Sequence, residues 1–158
     1  GLIVDDGEIY RGADGVHPEF GHHMIEPSRG PQCPCGARGC WEILASGPAM
    51  GTPTHSAEMI CEAARKGEGW AKEIVEREGF YLGVGVANLV SMFAPDVIAL
   101  GGGVMRSADL FLDRIRAIVD ESCTLVPGKK LTRIELASLV GADAVLVGAA
   151  RAFRQNPQ

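Results

Sequence analysis

The sequence predicts an α/β fold, and three observations carry that expectation. A hairpin signal opens the chain, two later stretches repeat apolar residues at helical spacing, and short apolar runs bounded by glycine or proline fall between and after them. A hairpin followed by helices alternating with strands is the order of an α/β domain. With 158 residues and 46% apolar content, the chain falls within one ordinary domain and can bury a sizeable core.

Residues 2–4 and 8–10 flank Asp5-Asp6-Gly7, and an Asp-Gly pair between short strands marks a hairpin because glycine tolerates the positive φ of the turn. Asp5 and Asp6 are assigned to that turn. Residues 11–15 read as a loop in which Asp14 has no assigned use, and His17, ahead of Pro18, is read as a loop residue. Residues 41–50 suggest a short helix interrupted at Ser46-Gly47-Pro48, and Gly51-Thr52-Pro53-Thr54 breaks the chain. Ser56 then caps a helix that runs through Arg65 and stops at Lys66-Gly67.

Across residues 69–94, Leu82, Val86, Leu89, Val90 and Phe93 recur at helical spacing, which predicts one long helix packed against a sheet. Gly83 and Gly85 inside it each cost about 1 kcal/mol relative to alanine. Close approach of another backbone explains them, and a weakly helical core segment is the alternative. Pro95-Asp96 feeds a buried strand at 97–100, followed by Gly101-Gly102-Gly103 and a helix from Ser107 with the buried stripe Phe111, Ile115, Ile118 and Val119. Residues 133–136 form a further strand and 142–153 a final helix, with a frayed tail at 155–158.

A net charge of -5 with no block of lysine or arginine argues against a broad surface for nucleic acid or anionic membrane, so any phosphate must be held locally. The longest apolar run, 80–94, contains Asn88 and is short of a membrane span. Five cysteines without a secretory segment point to a reducing, cytoplasmic setting, in which Cys61 and Cys123 serve as buried small hydrophobes. The chain begins at Gly1 rather than methionine and runs straight into an apolar strand, so a truncated chain is expected.

Three cysteines lie within eight positions, spaced C-x-C-x4-C at Cys33, Cys35 and Cys40. Pro34 stiffens the first pair, while Gly36 and Gly39 permit the reversal that returns Cys40 to the same point. Zinc in a structural site takes four such ligands, and a histidine would be the fourth. If 22–25 is a strand, His22 and His23 face opposite ways and only one can join. Arg29 and Arg38 are expected to favour thiolate. The competing readings are a disulfide, a redox pair and inert buried thiols. A C-x-C bridge closes a strained ring and no C-x-x-C occurs, yet zinc spacings are usually wider than C-x-C.

Two carboxylates adjoin this loop, Glu19 and Glu42, and on a common surface they could accept hydrogen bonds from vicinal hydroxyls. The bland alternative for Glu42 is an acid in the first turn of its helix. Gly101-Gly102-Gly103 after a strand lets a ligand touch backbone, but a tight crossover turn would read the same way. Arg106 stands where G-x-G-x-x-G needs its third glycine, and no G-x4-G-K-[ST] occurs.

The run Cys33-Pro34-Cys35-Gly36-Ala37-Arg38-Gly39-Cys40-Trp41-Glu42, preceded by Glu19-Phe20-Gly21-His22, closely resembles the signature of the ROK family of repressors, open reading frames and sugar kinases. The resemblance implies that His22 joins Cys33, Cys35 and Cys40 around a structural zinc, and that Glu19, His22 and Glu42 contact a sugar. Residues 96–105 resemble the adenosine motif of the sugar kinase, Hsp70 and actin superfamily, which assigns Gly101, Gly102 and Gly103 to ATP with magnesium.

It further implies a ribonuclease H-like lobe: residues 1–158 are similar to the C-terminal half of the family, with a zinc and sugar loop at 19–42 and the N-terminal lobe absent. In ROK kinases the catalytic aspartate and a D-x-G-x-T motif lie in that missing lobe, so no catalytic residue falls in this chain and the fragment alone is expected to be inactive. The implied activity is glucokinase-type phosphorylation of a hexose by a homodimer. The alternative is a sugar-sensing ROK repressor with an N-terminal helix-turn-helix, and a zinc-stapled domain without sugar binding is the blandest option. Two details bear on this: the segment between Met50 and Ser56 is shorter than the helical insertion usual in the family, and His17-Pro18-Glu19 resembles fructokinase-like members while Cys-Pro-Cys-Gly resembles glucokinases.

Overall fold

Asp6 and Gly7 both adopt positive φ, 47° and 82°, and this alone folds the N-terminus into its hairpin. The computed structural model describes residues 1–126, 132–139 and 147. Strand β1 (Val4–Asp5) pairs antiparallel with β2 (Glu8–Ile9), Val4 opposite Ile9 and Asp5 opposite Glu8. That register leaves a two-residue type I′ turn. Asp5 therefore belongs to the strand, and Asp6 alone of the two acids makes the turn.

The interrupted helix resolves into α1 (Trp41–Leu44) and α2 (Gly47–Met50). Ser46 starts the second, its Oγ accepting the Ala49 N–H at 3.2 Å. Helix α3 (Ala57–Arg65) has the expected Ser56 cap, with Oγ accepting from Met59 N, and Gly67 leaves it at φ 92°.

Helix α4 (Gly69–Phe93) is 25 residues long and ends on Ala94, a left-handed cap at φ 43°. It packs chiefly on α3 and on α5 (Leu112–Ser122) and touches α1, so among the described residues its main neighbours are helices rather than a sheet. Val86 and Val90 are buried as the stripe predicts, whereas Phe93 is exposed and meets Phe20 edge-on with ring centroids 5.8 Å apart. The two glycines admit side chains, not another backbone. A Cβ on Gly83 would lie 2.7 Å from Ile118 Cβ, and one on Gly85 would lie 1.9 Å from the Trp41 ring. The core gathers Met50, Ile60, Val75, Val86, Val90, Phe111, Ile115 and Val119.

Strand β3 (Val97–Leu100) pairs parallel with β4 (Arg133–Leu136), Val97 opposite Arg133 and Leu100 opposite Leu136. Ile98, Leu100 and Ile134 pack on the helical core, while Val97 and Ala99 are exposed. The expected buried strand is thus covered on one face only, because helices pack on one side of the pair among the described residues. A helix from Ser107 does not form. Residues Val104–Leu110 make a 3-10 segment in which Ser107 (φ -111°, ψ 35°) is non-helical, and α5 begins at Leu112. Asp109 in this segment is clamped by the Arg65 guanidinium at 2.9 and 2.7 Å, which also holds its carboxyl below the usual range. The stripe Phe111, Ile115, Ile118 and Val119 is buried as expected, as are Cys61 and Cys123. The final helix expected at 142–153 lies almost wholly outside the described residues.

Glu78 is 1% exposed on α4, and neither carboxylate oxygen has a hydrogen-bond partner among the described residues. Burial pushes its carboxyl up to about 8. Between its unfolded value and about 8 the folded state holds a proton that the unfolded chain has released, so stability falls as pH rises through that window and levels off above it. Replacing Glu78 with leucine should remove this slope. Thermal melts at pH 5 and pH 8 check it: the stabilisation by Glu78→Leu is expected to be larger at pH 8.

Candidate functional site

The loop that carries the cysteines is held by its own backbone. Ile25 and Glu26 donate to the Gly39 carbonyl (2.8 and 3.1 Å), Gly39 donates to Pro31 (2.9 Å), and Gly30 donates to Glu26 (2.9 Å). Chain segments this close leave no room for side chains: a Cβ on Gly39 would lie 1.9 Å from Glu26 O, and one on Gly30 2.4 Å from the same atom. Gly39 also sits at φ 68°. The need for Gly30 was not visible in the sequence. Around Pro34-Cys35 the chain makes a tight knuckle, with Cys33 N donating to Ala37 O (2.8 Å), Gly36 N to Cys33 O (3.0 Å), and Gly36 at φ 97°. The Gln32 amide closes it from outside, donating to the Gly36 and Ala37 carbonyls.

This folding brings one donor atom each from His22, Cys33, Cys35 and Cys40 within 4.8 Å of one another. His22 Nδ1 is 3.6 Å from Cys33 Sγ, and Cys35 Sγ is 3.6 Å from Cys40 Sγ, with all cysteines free. Zinc–sulfur bonds of about 2.3 Å at tetrahedral angles imply S···S edges of roughly 3.8 Å, so the donor set suits such an ion. Cys33 and Cys40 are buried, and Cys35 is exposed. Burial pushes the Cys40 thiol up to about 12, so that sulfur holds its proton at neutral pH and would have to release it to ligate a cation. The Ala37 backbone hydrogen bond draws the Cys35 thiol below its ordinary value. Arginine does not act here as expected: Arg38 Nη1 donates to the Gly30 carbonyl at 2.8 Å, and Arg29 is exposed.

His22 and His23 diverge, but not because they lie on a strand. Residues Phe20–His22 form a 3-10 turn, and only Met24 bridges to Cys40. His22 faces the sulfurs, and His23 turns to α4, its Nε2 3.2 Å from Asn88 Nδ2 and its ring edge-on to Trp41. Glu42, in the first turn of α1, brings Oε1 to 3.5 Å from His22 Nδ1 and 4.0 Å from Cys33 Sγ. Gly21 makes that approach possible, since a Cβ there would meet Glu42 Oε2 at 2.9 Å. Glu19 opens the turn that carries His22. Its carbonyl accepts the His22 N–H at 3.0 Å, and its side chain is exposed. Trp41 anchors the assembly to α4, its Nε1 donating to the Tyr81 carbonyl at 2.9 Å over the gap at Gly85.

The three glycines after β3 lie apart from this cluster in chain order. Gly102 has φ 91° and, like Gly103, has open space where a Cβ would point, whereas Gly101 abuts Ala137 at 3.3 Å. Gly103 lines a cavity of about 760 Å³ with Gly47, Met50, His55, Ser56 and Arg106. Gly101 and Gly102 do not line it. No α-helix N-terminus follows the glycines directly, because the 3-10 segment intervenes.

A family model described as the ROK family matches residues 1–156. The chain belongs to the ROK family. Among its ROK relatives, a glucokinase from Thermotoga maritima is 30% identical over 177 residues, covering 99% of this chain and 55% of that protein. A xylose repressor from Bacillus spizizenii is 34% identical over 125 residues, covering 75% of this chain and 32% of that protein. Of solved structures, a ROK family glucokinase from Streptomyces griseus in complex with glucose and AMPPNP superposes with a TM-score of 0.80 at 32% identity, covering 98% of this chain and 57% of that one. The chain thus spans little more than half the length of the glucokinases it matches. No helix among the described residues is long and apolar enough to cross a membrane.

Proposed function

We propose that residues 1–158 form the C-terminal, ribonuclease H-like lobe of a glucokinase-type ROK kinase, cytoplasmic and dimeric, that transfers the γ-phosphoryl group of ATP to a hexose hydroxyl. The observation that carries this reading is the convergence of His22, Cys33, Cys35 and Cys40 with the Glu42 carboxylate beside them. Zinc held by those four residues supplies positive charge and a cross-link between the 3-10 turn and the cysteine loop, without activating water.

The chain's own groups then act on the sugar. With Nδ1 turned to Cys33, His22 keeps Nε2 for a hydroxyl. Glu19 and Glu42 accept hydrogen bonds from vicinal hydroxyls, which fixes the ring's orientation. Gly101, Gly102 and Gly103 receive the nucleotide with its magnesium, at the C-terminal end of β3 where ligands of parallel sheets gather. Phosphoryl transfer also needs a base on the attacking oxygen. No D-x-G-x-T occurs in this sequence, so we assign the base to the part of the glucokinase length that this chain does not span, and expect residues 1–158 alone to show no turnover.

The xylose repressor likeness keeps a second reading in view, a sugar sensor that binds hexose or pentose without catalysis. Coupled ADP release by the full-length protein with glucose, fructose, mannose and N-acetylmannosamine separates the two. Hexose-dependent ADP release is the expected result, with Glu42→Gln weakening hexose binding by about 10–100-fold through loss of one charged hydrogen bond. Saturable sugar binding with no ADP release would favour the sensor.

A further inference from the structure

His23 and Asn88 have no part in the site as drawn so far, yet they connect it to the core. The His23 ring bridges two elements: Nδ1 bonds the Phe20 carbonyl at 2.5 Å, and Nε2 lies 3.2 Å from Asn88 Nδ2 on α4. A carbonyl only accepts, so Nδ1 carries the proton. Nε2 is then a bare acceptor, which the Asn88 amide satisfies by donating. The ring also packs edge-on to Trp41 at 5.3 Å, and the His23 carbonyl accepts the Trp41 N–H at 2.9 Å. Both histidine nitrogens and the ring face are therefore committed.

The turn so gripped is Phe20–His22, bounded by Glu19. Its own N–H groups do not hold it from outside, since those of His22 and His23 bond within the turn, to Glu19 O and Phe20 O; beyond the His23 ring, the backbone ties are the Trp41 N–H on the His23 carbonyl and the Met24–Cys40 bridge. The Cys40 thiol adds one weak contact, to the His22 carbonyl at 3.3 Å. Such a turn sets the direction of the His22 ring only if something outside it fixes its orientation.

We infer that Asn88 and His23 are positioning residues, a strut from α4 that fixes the 3-10 turn and so aims His22 at the three cysteines. Through the same turn the strut places Glu19, and in that respect the inference rests on the sugar-binding reading above; its effect on metal binding does not. Groups that orient a metal-ligating histidine typically change metal affinity by about 10–100-fold when removed.

The test uses the full-length protein and two readouts, zinc affinity in competition with a chromophoric chelator and the visible spectrum of the cobalt-substituted protein. Asn88→Leu keeps the branching and heavy-atom count of the side chain and removes the donor. It should weaken zinc by at least about 10-fold and shift the cobalt bands toward a site with disordered nitrogen ligation. His23→Ala should do the same, and the double variant should be no worse than the weaker-binding single one, as expected for two residues acting in one strut. His23→Asn, which keeps a donor for Phe20, should recover part of the loss. Zinc affinity and cobalt spectra matching the wild type in Asn88→Leu and His23→Ala would overturn the inference, as would fully additive losses. Hexose titration alongside separates the two proposals: a wild type that binds zinc but no hexose defeats the sugar reading, while the strut stands or falls on the metal data alone.

Discussion

Replacing Cys40 with serine should abolish stoichiometric zinc and, with it, most hexose affinity. Cys40 is fully buried, its sulfur 3.6 Å from Cys35 Sγ, and it follows the close pairing of Gly39 with Glu26. A serine oxygen is a shorter and harder donor, poorly matched to a site of three sulfurs. Structural zinc contributes about 10–16 kcal/mol of apparent binding energy in small peptides, so losing one of four ligands should lower affinity by at least about 100-fold. The loop has few apolar contacts to replace that cross-link, since only Cys33 and Cys40 of its cysteine segment lie in the buried apolar set. Metal analysis after dialysis is expected to find one zinc per wild-type chain and little in Cys40→Ser, with hexose affinity falling in parallel. Cys123→Ser makes the control: that thiol is also buried, but its contacts are Ser91 and the Ala87 carbonyl, so zinc should be retained.

A single methyl group on α4 should have the second-largest effect. Alanine at Gly85 improves helix propensity by about 1 kcal/mol, which taken alone predicts stabilisation. The clash decides otherwise, because the added Cβ would fall 1.9 Å from Trp41 Cε2 and 2.3 Å from Nε1. The indole cannot swing away without breaking its 2.9 Å bond to the Tyr81 carbonyl. Overpacking of this kind costs roughly 1–3 kcal/mol, and a clash this close belongs at the upper end, so the net loss of about 2 kcal/mol should lower Tm by about 4–8 °C in a domain of this size. Because Trp41 adjoins Cys40 and Glu42, displacing it should also weaken hexose binding. Trp41→Leu in the same chain should relieve much of the clash, giving a strongly non-additive pair in thermal melts. Equal Tm values for wild type and Gly85→Ala would show that the ring has room to move.

Much of the fold was legible because it rests on local rules. The Asp6-Gly7 turn, the Ser56 cap and the stripe Phe111, Ile115, Ile118 and Val119 each follow from a few adjacent residues and recur in the structure as expected. Errors arose where distant contacts decide. Gly83 and Gly85 mark close approach, but that side chains, Ile118 and Trp41, and not a backbone approach them depends on residues more than thirty positions away. The segment ahead of α5 likewise carries a clamp that local pattern cannot show, between Arg65 and Asp109, 44 positions apart in the chain.

The site divides in the same way. Spacing and family likeness picked out His22, Cys33, Cys35 and Cys40, and the structure gathers those four. His22 and His23 do diverge, but a 3-10 turn at Phe20–His22 and not a strand parts them. Gly21 stands in the E-x-G-H run with no local reason and Gly30 gives no signal, because the importance of each is the absence of a side chain beside Glu42 and Glu26. Asn88 gave none either, lying inside a long apolar run, and only its approach to His23 across 65 positions reveals it.

The central claim is that a metal-gathered loop makes one wall of a hexose site. Titration calorimetry of glucose into the full-length protein, zinc-loaded and then stripped with a chelator, tests it most directly. Saturable binding to the loaded protein and a loss of at least about 10-fold after stripping is the predicted result. Equal affinity in the two forms would contradict the account.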